Sequence, residues 1–104
     1  MNKPEQPYTM GIWKVKPGNE EAFASAWKTF ADWSFKNQEG AGHGYLLEDP
    51  ENPQSFVSFG WWESVDAIRK WRARPEFNEF VGKAKALCDD FQPKSLRLKT
   101  TTEW

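Results

Sequence analysis

The sequence predicts an α+β fold in which helices cover one four-stranded antiparallel sheet, with the elements in the order β-α-β-β-α-α-β. Three observations support this prediction. Four short segments change side-chain type with the two-residue period of a strand. Three intervening segments place apolar residues at three- and four-residue steps, the period of a helix. A length of 104 residues allows one domain, since domains usually contain ~100–200 residues.

The first two elements are a strand and a long helix. The strand is predicted over residues 8–16, where apolar side chains fall on both faces. Pro17-Gly18 ends it, and Asn19 is the expected N-cap of a helix that runs to about Phe35. One face of this helix is strongly aromatic, with apolar residues at Phe23, Ala26, Trp27, Phe30 and Trp33.

A hairpin and a short helix follow. The glycine-rich link 40–42 precedes a strand from His43 to Asp49, and a further strand is predicted over residues 55–62. The five residues between them include two prolines, which favours a reversal of the chain. Ser64 is the expected N-cap of the short helix, whose apolar residues are Ala67, Ile68 and Trp71.

The last helix is predicted to begin at Pro75, because proline suits the first helical position. Its apolar stripe is predicted to continue as far as Phe91, with Gln92-Pro93 as the stop. Residues 94–102 then alternate as the final strand. This order of elements is that of a ferredoxin-like sandwich, with the helices on one face of the sheet.

Apolar residues on both faces of two strands predict a second sheet as partner. Met10 and Ile12 lie opposite Trp13 and Val15, and the third strand repeats this arrangement. The helices of one chain cover only one sheet face. We therefore expect a homodimer in which two sheets face each other, because a monomer would expose an unusually large apolar patch.

Composition excludes several classes of protein. Lysine and arginine balance aspartate and glutamate to a net charge of −1, which argues against a nucleic-acid partner. One cysteine and one histidine leave neither a disulfide nor the usual ligands of zinc. We expect no metal and no membrane association. The first residues lack a signal peptide's apolar stretch, so a cytoplasmic location is expected.

Three segments resemble the antibiotic biosynthesis monooxygenase family. They are VKPGNEEAFASAW at 15–27, GYLLEDPENPQSFVSFGWWES at 44–64 and AIRKWRARPEF at 67–77. The resemblance spans about residues 8–100 and implies a dimeric α/β barrel. Members of this family differ in function, so the resemblance leaves three possibilities open. They are a cofactor-free oxygenase of phenolic polyketides or quinols, a haem-degrading protein, and a protein without an established activity.

The haem-degrading pattern is only partly present. Trp71 matches its helical tryptophan, but the position of the iron-binding histidine holds Val81, and the first-strand asparagine position holds Gly11. Valine cannot supply the axial bond to iron. We therefore expect no haem, and no flavin or other cofactor either.

A cofactor-free oxygenase needs a group that helps form a substrate anion, which then reduces O₂ directly. His43 is the candidate base, because its unperturbed pKa of ~6.5 suits proton transfer near neutrality. Tyr45, Trp62 and Trp71 are the candidate donors to the anionic oxygen, and Tyr45 is expected on the strand face of His43. The alternatives are that His43 is a solvated residue and that the tryptophans belong to the core.

The candidate substrate-binding residues are aromatic side chains of the first helix and one arginine. Trp27, Phe30 and Trp33 could wall a pocket for a planar ligand, although aromatic residues at helical spacing usually form core. Arg97 could hold an anionic substrate oxygen, or could be a surface charge. A small aromatic or apolar ligand is expected in either case. The second hypothesis for function is therefore a dimeric binding module without catalysis.

Overall fold

A computed structural model describes residues 3–104, and its elements follow the predicted order. The expectation that no signal peptide is present rests partly on Met1 and Asn2, which lie outside these residues. The strands are β1 (Pro7–Val15), β2 (Ala41–Asp49), β3 (Asn52–Trp62) and β4 (Cys88–Arg97). The helices are α1 (Glu20–Asn37), α2 (Val65–Arg72) and α3 (Pro75–Lys85). No helix within residues 3–104 combines the length and the apolarity needed to cross a membrane.

The four strands form one antiparallel sheet in the order β2-β3-β1-β4, which confirms the predicted ferredoxin-like α+β fold. Two of the predicted helix starts are confirmed in detail. The hydroxyl of Ser64 accepts a hydrogen bond from the Ala67 amide at 3.0 Å, and Pro75 occupies the start of α3. Asn19 precedes α1 as predicted, but its side chain makes no capping hydrogen bond.

The end of α3 differs from the prediction. The helix stops at Lys85, and Cys88 already begins β4, so Gln92-Pro93 lies inside a strand. β4 is an edge strand, where a proline without an N–H group is tolerated. Phe91 continues the apolar spacing of α3 in the sequence although it belongs to β4. Its ring packs against the sheet, stacked on Trp13 with the ring centres 3.8 Å apart. The strand also ends earlier than predicted, at Arg97.

The core lies between the helices and one face of the sheet, in two aromatic clusters. In the first, Phe23 of α1 is fully buried, and its ring lies 5.1 Å from the rings of both Trp13 and Phe56. In the second, Trp71 of α2 packs against Trp62 of β3 at 4.6 Å. The space between these clusters, over the middle of the sheet, is not filled by side chains.

The opposite sheet face carries no helix and keeps its apolar side chains accessible. Tyr45 and Leu47 of β2 are about half exposed, at 51% and 54%, and Tyr45 stacks on Phe59 of β3. This side, called the open face below, also carries Met10, Ile12, Val57, Trp61 and Leu96, according to the strand register. The two-faced strands of the sequence prediction are therefore present.

Candidate functional site

A cavity of about 370 Å³ lies between the covered face of the sheet and the helices. This volume is at the lower end of the roughly 300–1,000 Å³ typical of small-molecule sites, so it suits a ligand of few rings. Its aromatic walls come from the sheet and from all three helices: Trp13, Trp27, Phe30, Trp62, Trp71, Phe77 and Phe91. Residues of β4 in the lining are largely exposed, so the cavity opens along that edge.

The floor of the cavity is made of glycines and hydroxyl residues. Gly11 of β1 faces Ser58 of β3, Thr9 faces Gly60 on the same strand pair, and Thr9 also faces Ser95 of β4. These positions alternate with the open-face residues, so they share the covered face. Small side chains here leave room above the sheet for a ligand.

Three tryptophan N–H groups are hydrogen-bonded to hydroxyl oxygens that line this cavity. Trp13 donates to Ser58 at 2.9 Å, and Trp62 donates to Thr9 at 3.1 Å. Trp71 donates to Ser34 at 2.9 Å, and Ser34 in turn donates to the Phe30 carbonyl at 2.9 Å. Because these indoles give their single proton to the protein, they are not free to bind an anionic oxygen.

The hydroxyl groups of Ser58 and Thr9 can still donate hydrogen bonds at the floor of the cavity. The hydroxyl oxygen of each residue accepts a hydrogen bond from an indole N–H. Within residues 3–104, neither hydroxyl group donates its own proton to a protein acceptor. A hydroxyl group has one proton and two acceptor lone pairs, so both can still donate. Ser58 is buried at 8% exposure, where a donated hydrogen bond is stronger than in water.

Gly11 is required by this arrangement. A β-carbon at this position would lie 2.7 Å from the indole nitrogen of Trp13 and 2.9 Å from the hydroxyl oxygen of Ser58. Any side chain would therefore disturb the Trp13–Ser58 hydrogen bond. The haem-degrading pattern has an asparagine at this position, and the contacts of Gly11 show why a glycine fits here instead.

Among residues 3–104, those that line the cavity include no carboxylate, imidazole, thiol or phenol. The ionisable residues in this described lining are Arg72 and Lys94. Lys94 pairs with Met10 in the strand register, so its side chain belongs to the open face. Arg72, the last residue of α2, donates to the Ser95 hydroxyl on the covered face at 3.1 Å.

The structure brings four of the predicted site residues together at the cavity. They are Trp27 and Phe30 of α1, Trp62 of β3 and Trp71 of α2. Trp27 lies over the sheet beside Gly44, where a β-carbon would be 3.5 Å from its ring. The predicted pocket between sheet and helices is therefore present, although the N–H groups of Trp62 and Trp71 are used within the protein.

The structure does not bring the other four to the cavity. His43 is exposed, and its ring stacks on Phe35 near the end of α1 at 4.4 Å. Tyr45 stacks on the open face, so the expectation that it shares a strand face with His43 is wrong. A register shift between Ala41 and Gly44 is the reason, because a bulge changes the alternation of side chains.

The remaining two residues serve other contacts. Trp33 packs against Phe80 of α3 at 5.2 Å, and the guanidinium of Arg74 lies 5.7 Å from its ring centre. Arg97 is exposed and lies 3.6 Å from a carboxylate oxygen of Glu5. Both therefore lie outside the cavity lining.

Cys88, the single cysteine, is not part of the cavity either. Its thiol donates to the Ala84 carbonyl at 3.4 Å. Burial raises the pKa of this thiol to about 11, and the charge of Asp89 acts in the same direction. Little thiolate therefore forms near neutral pH. Cys88 is a small, partly buried residue that packs against the first aromatic cluster.

Sequence reasoning missed the hydroxyl residues and Arg72. Serine and threonine are common on strands, and nothing in their local sequence marks Thr9, Ser58 and Ser95 as neighbours. The available signal was the alternation itself. Thr9 and Gly11 precede Trp13 with a period of two, and Ser58 and Gly60 precede Trp62 in the same way, which predicts two strand segments with a small-residue face.

The fold and the cavity define a small α+β domain with an aromatic-lined cavity between the sheet and the helices. The sequence matches the profile of the antibiotic biosynthesis monooxygenase family over residues 9–83, and the chain belongs to this family. No protein of curated function matches the sequence.

Solved structures with the same fold come from several organisms. SnoaB, a cofactor-independent oxygenase from Streptomyces nogalater, has a TM-score of 0.85 at 22% identity, covering 94% of this chain and 97% of its own. A Bacteroides thetaiotaomicron protein of unknown function has a TM-score of 0.81 at 17% identity, covering 92% and 100%. A conserved Methanosarcina mazei protein has a TM-score of 0.80 at 17% identity, covering 91% and 94%. At these identities the likeness shows the fold.

Proposed function

We propose that the protein is a cofactor-independent monooxygenase that oxidises a small phenolic or quinol-type substrate with O₂ inside this cavity. The observation that carries the proposal is the pairing of aromatic walls with hydroxyl donors that indole N–H groups hold in place. Family membership and the fold shared with SnoaB support the reaction class. The hydroxyl donors replace the tryptophan donors of the sequence hypothesis.

The walls of the cavity bind the substrate ring, and the floor binds its ionised oxygen. Aromatic walls bind a planar ring by stacking and exclude water. Ser58 and Thr9 donate hydrogen bonds to the ionised oxygen of the substrate, which favours the phenolate over the phenol. Because the residues described at the lining include no carboxylate or imidazole, the substrate proton leaves to solvent rather than to a cavity side chain.

The phenolate is the reductant of the reaction. One electron passes from the anion to O₂, and the resulting substrate radical and superoxide combine to form a carbon–oxygen bond. Protonation gives a hydroperoxide. Loss of water then breaks the oxygen–oxygen bond and leaves a carbonyl group. Overall, a phenol and O₂ give a quinone and water, so the substrate supplies every electron that O₂ takes up.

The reaction class is tested by isotope labelling. With ¹⁸O₂ and a panel of phenols and quinols that begins with 1-naphthol, we expect oxygen uptake and a naphthoquinone that carries one labelled oxygen. Heat-denatured protein serves as the control for spontaneous oxidation. Uptake no faster than this control across the panel would contradict the proposal.

The second candidate, a binding module without catalysis, is favoured by one specific observation: the cavity lining within residues 3–104 offers no carboxylate or imidazole as a general base. It makes a distinct prediction for the same panel of compounds. The panel compounds would then bind in calorimetric titrations, while the native protein would consume oxygen no faster than the denatured control.

We also propose that a second copy of the chain covers the open face. Half-exposed Tyr45, Leu47 and Leu96 lie there beside other apolar residues, and the same face of an identical sheet matches them in area and chemistry. A permanent association of this kind buries roughly 1,600 Å² or more in total. The cavity is on the other side of the sheet, so each copy keeps its own site.

The expected result in sedimentation velocity at micromolar concentration is a particle of twice the 12.1 kDa chain mass. Leu47→Glu places a charge within the apolar contact of the open face and is expected to shift the particle to the monomer. Lys83→Glu, on the exposed part of α3, is the matched control and should leave the dimer intact. Wild-type protein sedimenting as a monomer would contradict the proposal.

A further inference from the structure

Arg72 lies at the mouth of the cavity, and no carboxylate within residues 3–104 forms an ion pair with it. Its Nη2 donates to the hydroxyl oxygen of Ser95 at 3.1 Å, and Ser95 faces Thr9 across the strand pair. A guanidinium has five N–H donors, so this contact leaves most of them available. Arg72 therefore has unused N–H donors and lies beside the hydroxyl groups of Ser95 and Thr9.

The neighbouring cations are paired differently. Arg69 and Lys70 of the same helix lie 3.4 Å and 3.5 Å from the carboxylate of Asp66, and Arg74 lies 3.2 Å from Glu76. Arg72 has no carboxylate within ion-pair distance among residues 3–104. The described part of the chain also contributes no acidic side chain to the cavity lining that could compensate this charge.

We propose that Arg72 and Ser95 form a subsite for the ionised oxygen group of an aromatic acid whose ring occupies the cavity. A planar guanidinium matches a carboxylate in a forked geometry, which lysine cannot reproduce. The Ser95 hydroxyl accepts from Arg72 and keeps its own proton to donate to the same group. The inference rests on the cavity of the proposed function and adds the class of ligand that it selects.

Arg72 is exposed, so its charge is partly screened by solvent. The expected contribution is accordingly modest: about a tenfold preference for an acidic ligand over a neutral one of the same shape. The preference should decrease as the salt concentration rises, whereas stacking in the cavity should not.

The probes are 2-naphthoate and its neutral analogue 2-naphthamide, measured by isothermal titration calorimetry. Wild-type protein is expected to bind the naphthoate about tenfold more tightly, and Arg72→Gln should remove this difference while keeping the affinity for the amide. Arg72→Lys, which keeps the charge without the fork, should retain part of the preference. Arg69→Gln, on the same helix and paired with Asp66, is the matched control and should behave as wild type.

Equal affinity for the two probes in wild-type protein would overturn the subsite, as would an unchanged preference in Arg72→Gln. Failure of wild-type protein to bind the naphthoate at all would overturn it as well. These results are independent of oxygen chemistry. Turnover of 1-naphthol together with equal binding of both probes would leave the monooxygenase standing and reject this inference alone.

Discussion

Ser58→Ala is expected to lower kcat for oxygen uptake by about 10²-fold, the effect of removing one donor from a site that stabilises an oxyanion. The variant deletes the buried hydroxyl whose oxygen is held by the Trp13 N–H at 2.9 Å. The substrate anion then loses its donor at the floor of the cavity. Steady-state oxygen uptake with 1-naphthol measures the effect, and substrate binding should change less than turnover.

The variant also leaves the Trp13 N–H without its acceptor, which costs about 1–3 kcal/mol of stability in a buried setting. Ser34→Ala is the matched control, because it removes the acceptor of the Trp71 N–H in the same way. The proton of Ser34 is already given to the Phe30 carbonyl, so its loss takes no donor from a ligand. We expect similar loss of stability in both variants, but a loss of turnover below about fivefold in Ser34→Ala. Equal losses of turnover would contradict the role of Ser58.

His43→Ala is the comparison that separates this account from the hypothesis based on sequence. That hypothesis makes His43 the base and predicts a loss of about 10²-fold. In the structure His43 stacks on Phe35 outside the cavity, so turnover close to wild type is expected. A loss as large as that of Ser58→Ala would restore His43 as the base.

The elements of the fold could be predicted because their signals are local. Alternation, helical spacing and the caps at Ser64 and Pro75 each involve residues within one turn or strand. The boundary between α3 and β4 could not be predicted in this way. Phe91 continues the apolar spacing of α3, and only its contact with Trp13, across the sheet, shows that it belongs to a strand.

The candidate site could likewise be predicted only in part. Its aromatic walls could be predicted from the many tryptophans in the sequence, and Trp27, Trp62 and Trp71 line the cavity. The hydroxyl floor depends on the register between three strands, which a single sequence does not reveal. The imidazole of His43 makes it the candidate base in the sequence, but a bulge in β2 and the position of α1 determine what it touches.

The central claim is that this cavity is where the substrate reacts, and a pair of alanine-to-leucine variants on α1 tests it most directly. Ala31 lines the cavity, whereas Ala22 is exposed on the same helix. Leucine is a good helix former, so both variants should keep α1. Only the change at Ala31 puts an isobutyl side chain into the space of the ligand.

The measurement is oxygen uptake with 1-naphthol by both variants at matched protein concentration. Ala31→Leu is expected to lose at least about tenfold in kcat/KM, because a ligand must then displace or avoid the added side chain. Ala22→Leu is expected to retain the wild-type rate. Full activity in Ala31→Leu, or the same loss in both variants, would contradict the account.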